Sequence, residues 1–379
     1  MLAPKPFKLL LVTDVWKPYV SGLVRTFVTT VEHLERQGHE VQIISPDMFW
    51  TVPFPLYPQF RVPIFVRRKV ARLIEQSNPD AIHLTAEAPL GMAARAWCVR
   101  HGVPFTTSFT TKMPEYFHAW CGMPVSFGYQ VFRWFHRPSS AVMVSTPSLA
   151  RELESWGFQN LVHWTRGVDL ELFRPRPRDF LTDPRPICLY VGRVSKEKNL
   201  PAFLNLRLPG TKYVLGDGPL LKSLREKYPE VRFLGVQQGE QLARYYAAAD
   251  VLVFPSLTDT FGLVLLEALA CGTPVAAYPV TGPIDVVGNA AVGALDEDLE
   301  RAVQRALAIP RDNCREFAER FSWDVSARQF LCNLHPIHRP QLAWPAPSDV
   351  AALGPTPRET EDPLTPASPA RGRIPPRAA

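Results

Sequence analysis

Short apolar runs alternate along most of the chain with stretches whose apolar positions recur at helical spacing. KLLLVTD, HEVQIISP, AIHL, PFTTSF and AVMVSTP read as strands, with helical periodicity over residues 24–37, 67–76 and 90–101 between them. A second series begins at ICLYVGR and continues through TKYVLGDGP, VRFLG, VLVFPS and PVAAYP. Strands apolar along their whole length, separated by helices, predict parallel sheets covered on both faces. Between the series lies RPRPRDFLTDPRP, whose prolines and charges read as an interdomain linker. The expected organisation is an α/β domain over residues 1–173, a linker over 174–186, and a second α/β domain over 187–334 that closes with one helix from Asn313 to Leu334. Residues 335–379 form a tail: 11 prolines fall in 336–379, a composition that builds no compact core and predicts disorder.

Composition changes this picture little. The 379 residues suffice for two full cores, and 46% hydrophobic with 21% charged residues is ordinary for a soluble protein. There is no apolar run of about 18 residues and no signal-peptide pattern, so the expected location is the cytoplasm. The cysteines at 98, 121, 188, 271, 314 and 332 form no CxxC pair, and neither a zinc site nor a redox motif is expected. A net charge of +6 suits an acidic partner. With no nucleic-acid module beside it, nucleotide phosphates and membranes rank ahead of nucleic acid.

The chemistry concentrates in TDTFGLVLLEALACGTPV, residues 258–275. The segment follows a strand, reads as a helix and is stopped by Gly272 and Pro274, which sets its leading loop at the carboxyl end of a parallel strand, where open α/β sheets bind ligands. Asp259 and Thr260 are candidate helix caps. Glu267 sits on a helix apolar all round, so its charge requires a partner. That partner is either a basic side chain or backbone amide of the protein, or a ligand with adjacent hydroxyls such as a ribose.

Other features add to this motif. YVGRVSKEKN places Arg193 and Lys198 in a strand-to-helix loop as diphosphate ligands, and KPYVSGLVRTF places Gly22 where backbone can approach a phosphate at a helix start. GDGP, from Gly216, is a weaker signal because such a sequence often only turns the chain. A nicotinamide dehydrogenase is disfavoured, since no GxGxxG follows the first strand.

Asp259-TFGLVLL-Glu267, its continuation LEALACGTPVAA, VGRVSKEKN and WTRGVDLELFRP together resemble the retaining nucleotide-sugar glycosyltransferases of glycosyltransferase family 4, over roughly residues 8 to 332. The resemblance implies the GT-B fold: two facing Rossmann-like domains with a ligand cleft between them. It implies that Glu267 grips the donor ribose and Asp259 the donor sugar. Backbone amides of Phe261, Gly262, Leu263 and Val264 would cradle sugar and phosphate, while Arg193 and Lys198 neutralise the departing diphosphate in place of a metal ion, so no cofactor is expected. The implied route is a front-face displacement that retains the anomeric configuration. The family usually has a histidine in a Ser-aromatic-His-Thr segment. This chain has Thr110 there, in TTSFTTKMPEY, which can hydrogen-bond a sugar hydroxyl but presents no imidazole. Thr110 and Tyr116 are the acceptor-side candidates.

Within the family, PYVSG, SPDMFWTVPFPLYP and PLGMAARAW look most like GDP-mannose-dependent mannosyltransferases and sulfolipid or glycolipid synthases, which implies a lipid-linked or glycan acceptor. RVPIFVRRKVARLIEQ, residues 61–76, reads either as a basic amphipathic helix resting on an anionic membrane or as a solvated basic face over a core-packing stripe. Two alternatives stay open: a UDP-sugar-dependent glycolipid synthase, and a nucleotide-sugar-binding subunit with little turnover.

Overall fold

The computed structural model describes residues 6–19, 21–54 and 57–337, with the side chains of 57–60 left aside. The proline-rich tail beyond Ile337 falls outside these residues. The strands are β1 (Lys8–Val12), β2 (Glu40–Ile44), β3 (Thr51–Phe54), β4 (Tyr57–Pro63), β5 (Ala81–Leu84), β6 (Thr106–Phe109), β7 (Ala141–Val144), β8 (Leu161–His163), β9 (Ile187–Val191), β10 (Thr211–Leu215), β11 (Arg232–Gly235), β12 (Val251–Phe254), β13 (Val275–Ala277) and β14 (Gly293–Leu295). Two six-stranded sheets result, ordered β2-β1-β5-β6-β7-β8 and β11-β10-β9-β12-β13-β14, and every pairing within them is parallel. β3 and β4 stand apart as an antiparallel hairpin.

Helices cover both faces of each sheet, so β5, β6, β7 and β12 are buried at every position. The helix Gly22–Arg36 buries Val24, Phe27, Val31 and Leu34 and opens on Ser21, whose hydroxyl accepts from the Val24 amide at 3.2 Å. The helix Val66–Ser77 sends Val66, Val70 and Ile74 into the core beside Leu90, Ala94 and Cys98. Val66, Val70 and Ile74 thus form a core stripe, while the basic face and Phe65 meet solvent. Among the described residues no helix is long and apolar enough to cross a membrane. Burial pushes the thiols of Cys98, Cys188, Cys271 and Cys314 up to about 12, as suits unreactive core cysteines.

Two expectations about boundaries are corrected. The single helix over 313–334 is two, Arg311–Ala318 and Trp323–Asn333, because Ser322 caps the second by accepting from the Asp324 amide at 3.1 Å. The second helix does not belong to the unit it follows: Phe330 and Leu331 pack among Leu9, Leu11 and Phe27, and the fully buried Trp164 donates to the Ser326 carbonyl at 3.1 Å. Residues 174–186 are likewise no free linker. Asp250 accepts from Arg178, from Arg185 at 2.9 Å and from the Ile187 amide at 2.6 Å, which pins that segment along the second sheet. The chain crosses between units a little earlier, between the buried Trp164 in the first core and Val168 in the second.

Candidate active site

The carboxyl ends of both sheets face each other, and the loops leaving them hold nearly all of the expected site. After β12 the chain runs through Asp259 into the helix Leu263–Ala270. Gly262 caps this helix at φ 83°, where a Cβ would press on Leu265 and Phe254 at 3.1 and 3.3 Å, so a glycine is required there. Asp259 is therefore no cap. Its Oδ1 accepts from Lys198 Nζ at 2.6 Å, while its Oδ2 is buried with no hydrogen-bond partner among the described residues. Burial opposes the charge on Lys198, but Asp259 and Tyr116 outweigh it and the ammonium pKa is raised. The first amides of the helix, around Phe261 to Val264, have no acceptor inside it and carry the positive end of its dipole.

Lys198 ends a tight turn, Lys196–Lys198, against which the helix Met113–Cys121 of the first unit packs. Tyr116, buried, places its ring 6.0 Å from Lys198 Nζ, and burial raises its phenol pKa. Next to it Trp120 donates to Glu197 at 3.3 Å, and Ser195 donates to the other oxygen of that carboxylate at 2.6 Å. Arg193 donates to the Tyr19 hydroxyl and lies over that ring. Gly218, in GDGP, comes so close to the loop after β9 that a Cβ would meet the Val194 carbonyl oxygen at 2.3 Å, which explains this glycine by packing.

Glu267 is 4% exposed, and the first of its two expected partners is present. Arg25, from the helix Gly22–Arg36 of the first unit, donates to Oε1; Tyr246 donates to Oε2 at 2.9 Å. The Glu267 charge holds the Arg25 pKa up against burial. Both carboxylate oxygens are thus engaged by protein. Gly22, one turn before Arg25, faces Leu263, whose Cδ1 would lie 3.7 Å from an added Cβ, so the two helix starts meet across the cleft.

Thr260 fastens the units together. Its hydroxyl donates to the Thr110 carbonyl at 2.8 Å, and its carbonyl accepts from Ser145 at 2.9 Å. Lys112, buried, adds bonds to Glu152 at 2.6 Å and to Thr281 at 3.3 Å. Thr110 and Tyr116 consequently stand beside Asp259 and Lys198 where the two units meet.

Sequence reading missed Arg25, Tyr246, Tyr19 and Glu197. Arg25 had a signal, a basic residue in the quoted run KPYVSGLVRTF three positions after Gly22; Tyr246 had none, lying in an unremarkable helix. Also missed was Asp14, buried at the end of β1, which accepts from the amides of Leu90 and Gly91 at 2.8 and 3.0 Å and so caps the helix Pro89–His101. Burial raises its pKa to about 7 against the lowering effect of those two bonds.

Sequence-family models match both units: Glycosyltransferase Family 4 over residues 20–172 and Glycosyl transferases group 1 over residues 185–321. A GDP-mannose-dependent alpha-mannosyltransferase of Mycobacterium tuberculosis is 29% identical over 75% of this chain and 82% of its own length. The sulfoquinovosyl transferase SQD2 of Arabidopsis thaliana is 27% identical over 80% of this chain and 68% of its own. The solved sucrose-phosphate synthase of Thermosynechococcus elongatus superposes with a TM-score of 0.68 at 22% identity, over 86% of this chain and 97% of that one, which shows a shared fold. With both halves matched and the two facing sheets in place, the chain belongs to the family 4 glycosyltransferases and has the GT-B fold.

Proposed function

We propose that the protein transfers mannose from GDP-mannose, with retention of anomeric configuration, onto a lipid-linked or glycan acceptor. The observation that carries this reading is Asp259: Lys198 fixes one oxygen, and the other is buried without a partner in front of the helix start, an arrangement suited to receiving a sugar hydroxyl. The helix amides and the cations Arg193 and Lys198 are then available to charge developing on the departing diphosphate, without a metal ion. Glu267 receives the ribose once Arg25 swings aside. Asp259 orients the sugar, and the leaving phosphate takes the acceptor proton as the new glycosidic bond forms on the face the diphosphate leaves. The mannose assignment draws on the GDP-mannose-dependent relative, and we extend the lipid-linked acceptor of this proposal to peripheral attachment at the cytoplasmic membrane face.

The test is transfer from labelled GDP-mannose into a lipid extract, with the anomeric configuration of the product read by NMR. An α-linked mannosyl product supports the proposal. Incorporation from UDP-glucose alone would replace it with the UDP-sugar glycolipid synthase reading.

A further inference from the structure

Glu197 is a carboxylate only 7% exposed within the turn Lys196–Lys198, and the lysines on either side of it both reach elsewhere. Asp259 takes Lys198 Nζ at 2.6 Å, while Lys196 Nζ donates across the boundary between the units to the Ala119 carbonyl at 2.9 Å. The Glu197 oxygens accept instead from two neutral groups, the Ser195 hydroxyl at 2.6 Å and the Trp120 indole N–H at 3.3 Å. A buried carboxylate is costly unless donors meet it, so both bonds hold the turn in its geometry. Ser195 belongs to the same loop. Trp120 comes from the other unit, on the helix Met113–Cys121 that also carries Tyr116.

The turn is fastened on its other side to the loop that carries Asp259. Thr258 donates to the Glu197 carbonyl at 3.4 Å, and Asn199 donates to the Pro255 carbonyl at 3.2 Å. The turn is therefore a bridge, gripped by the helix Met113–Cys121 from the first unit and by residues 255–258 from the second. Lys198 projects from it toward Asp259, with the Tyr116 ring 6.0 Å away. Removing the Trp120 N–H leaves one buried oxygen of Glu197 without that donor, and the turn regains a partner only by shifting toward water, taking Lys198 with it. A displacement of about 1 Å at a reacting centre costs on the order of 100-fold in rate.

We propose that Trp120 and Glu197 are positioning residues, which set Lys198 for the leaving group by joining its turn to the acceptor-side helix of the other unit. Both act through Lys198 rather than on a substrate. Departure of the nucleotide is thereby tied to contact between the two units. The inference rests on the transferase reading, in which Lys198 meets the departing diphosphate.

The test measures initial rates of transfer from labelled GDP-mannose, and in parallel from labelled UDP-glucose, into a lipid extract with the donor concentration varied. Trp120→Phe keeps a ring and removes the N–H. Its apparent turnover number is expected to fall about tenfold or more, with the donor KM within about threefold of wild type and the thermal stabilisation by GDP unchanged. Glu197→Ala falls as far. Glu197→Gln, whose amide still accepts from Trp120 and can donate to Ser195, recovers to within about threefold of wild type. Adding Trp120→Phe to Glu197→Ala costs less than about a further twofold, because both changes break one link. Wild-type turnover in Trp120→Phe, a raised donor KM with turnover intact, or losses that multiply in the double variant would each overturn the proposal while leaving the transferase reading in place. Transfer from neither donor by the wild type would overturn the transferase reading and this coupling with it.

Discussion

Arg25 donates across the cleft to Glu267, joining the first helix of one unit to the ligand-facing helix of the other. The pair occupies the carboxylate assigned to the donor ribose, so the arginine and the nucleotide compete for it. In Arg25→Ala the largely buried Glu267 keeps only Tyr246. Because Arg25 is 40% exposed, the cost is on the order of 1–2 kcal/mol, below that of breaking a fully buried pair. Thermal unfolding with and without GDP checks this: the free variant melts lower than wild type and gains more from the nucleotide. A smaller gain than wild type would make Arg25 a nucleotide contact instead.

In the proposed reaction Arg193 and Lys198 meet the charge that leaves with the diphosphate. Transfer is expected to persist in excess EDTA, and Arg193→Ala and Lys198→Ala each lower the turnover number by about 100-fold or more. Loss of activity in EDTA, restored by magnesium or manganese, would contradict the assignment.

Thr110 touches the Asp259 loop through its backbone carbonyl, and the proposed reading assigns its hydroxyl to a substrate. Thr110→Val removes that hydroxyl at nearly constant volume. Transfer should fall about tenfold while GDP binding stays unchanged, as befits one hydrogen bond to substrate. An unchanged rate would remove Thr110 from the site.

Asp14 gives a pH signature. Its folded pKa, near 7, lies above the ordinary carboxylate value, so the folded state binds this proton more tightly than the unfolded chain. The contribution to stability is fully present below about pH 4 and is lost as pH rises to about 7. Chemical denaturation across that window should show Asp14→Asn gaining on wild type as pH increases. Parallel pH profiles would mean that Asp14 stays charged on its two amide bonds.

The two sheets were legible because β strands such as LLLV and VLVF are apolar throughout, and the motif around Asp259 was legible because glycine and proline bracket its helix. What escaped was contact between distant residues. Glu267 advertised its need for a partner, yet nothing local could choose Arg25, 242 positions away. Asp259 looked like a cap because the conformation of Gly262, which does the capping, is not written in composition. The final helix was misread as one piece because its apolar positions continue across Ser322, whose side chain begins a new helix, and packing rather than periodicity sends that helix back to the first unit.

Donor binding tests the central claim most directly. Thermal stabilisation by GDP, GDP-mannose, UDP and UDP-glucose should be measured on wild type and Asp259→Asn. A ligand at about 100 times its Kd adds roughly 2.7 kcal/mol. The account predicts that wild type is stabilised most by GDP-mannose, and that Asp259→Asn keeps the response to GDP but loses the extra gain from the sugar. Selective stabilisation by UDP-glucose, or no stabilisation by any of the four, would contradict it.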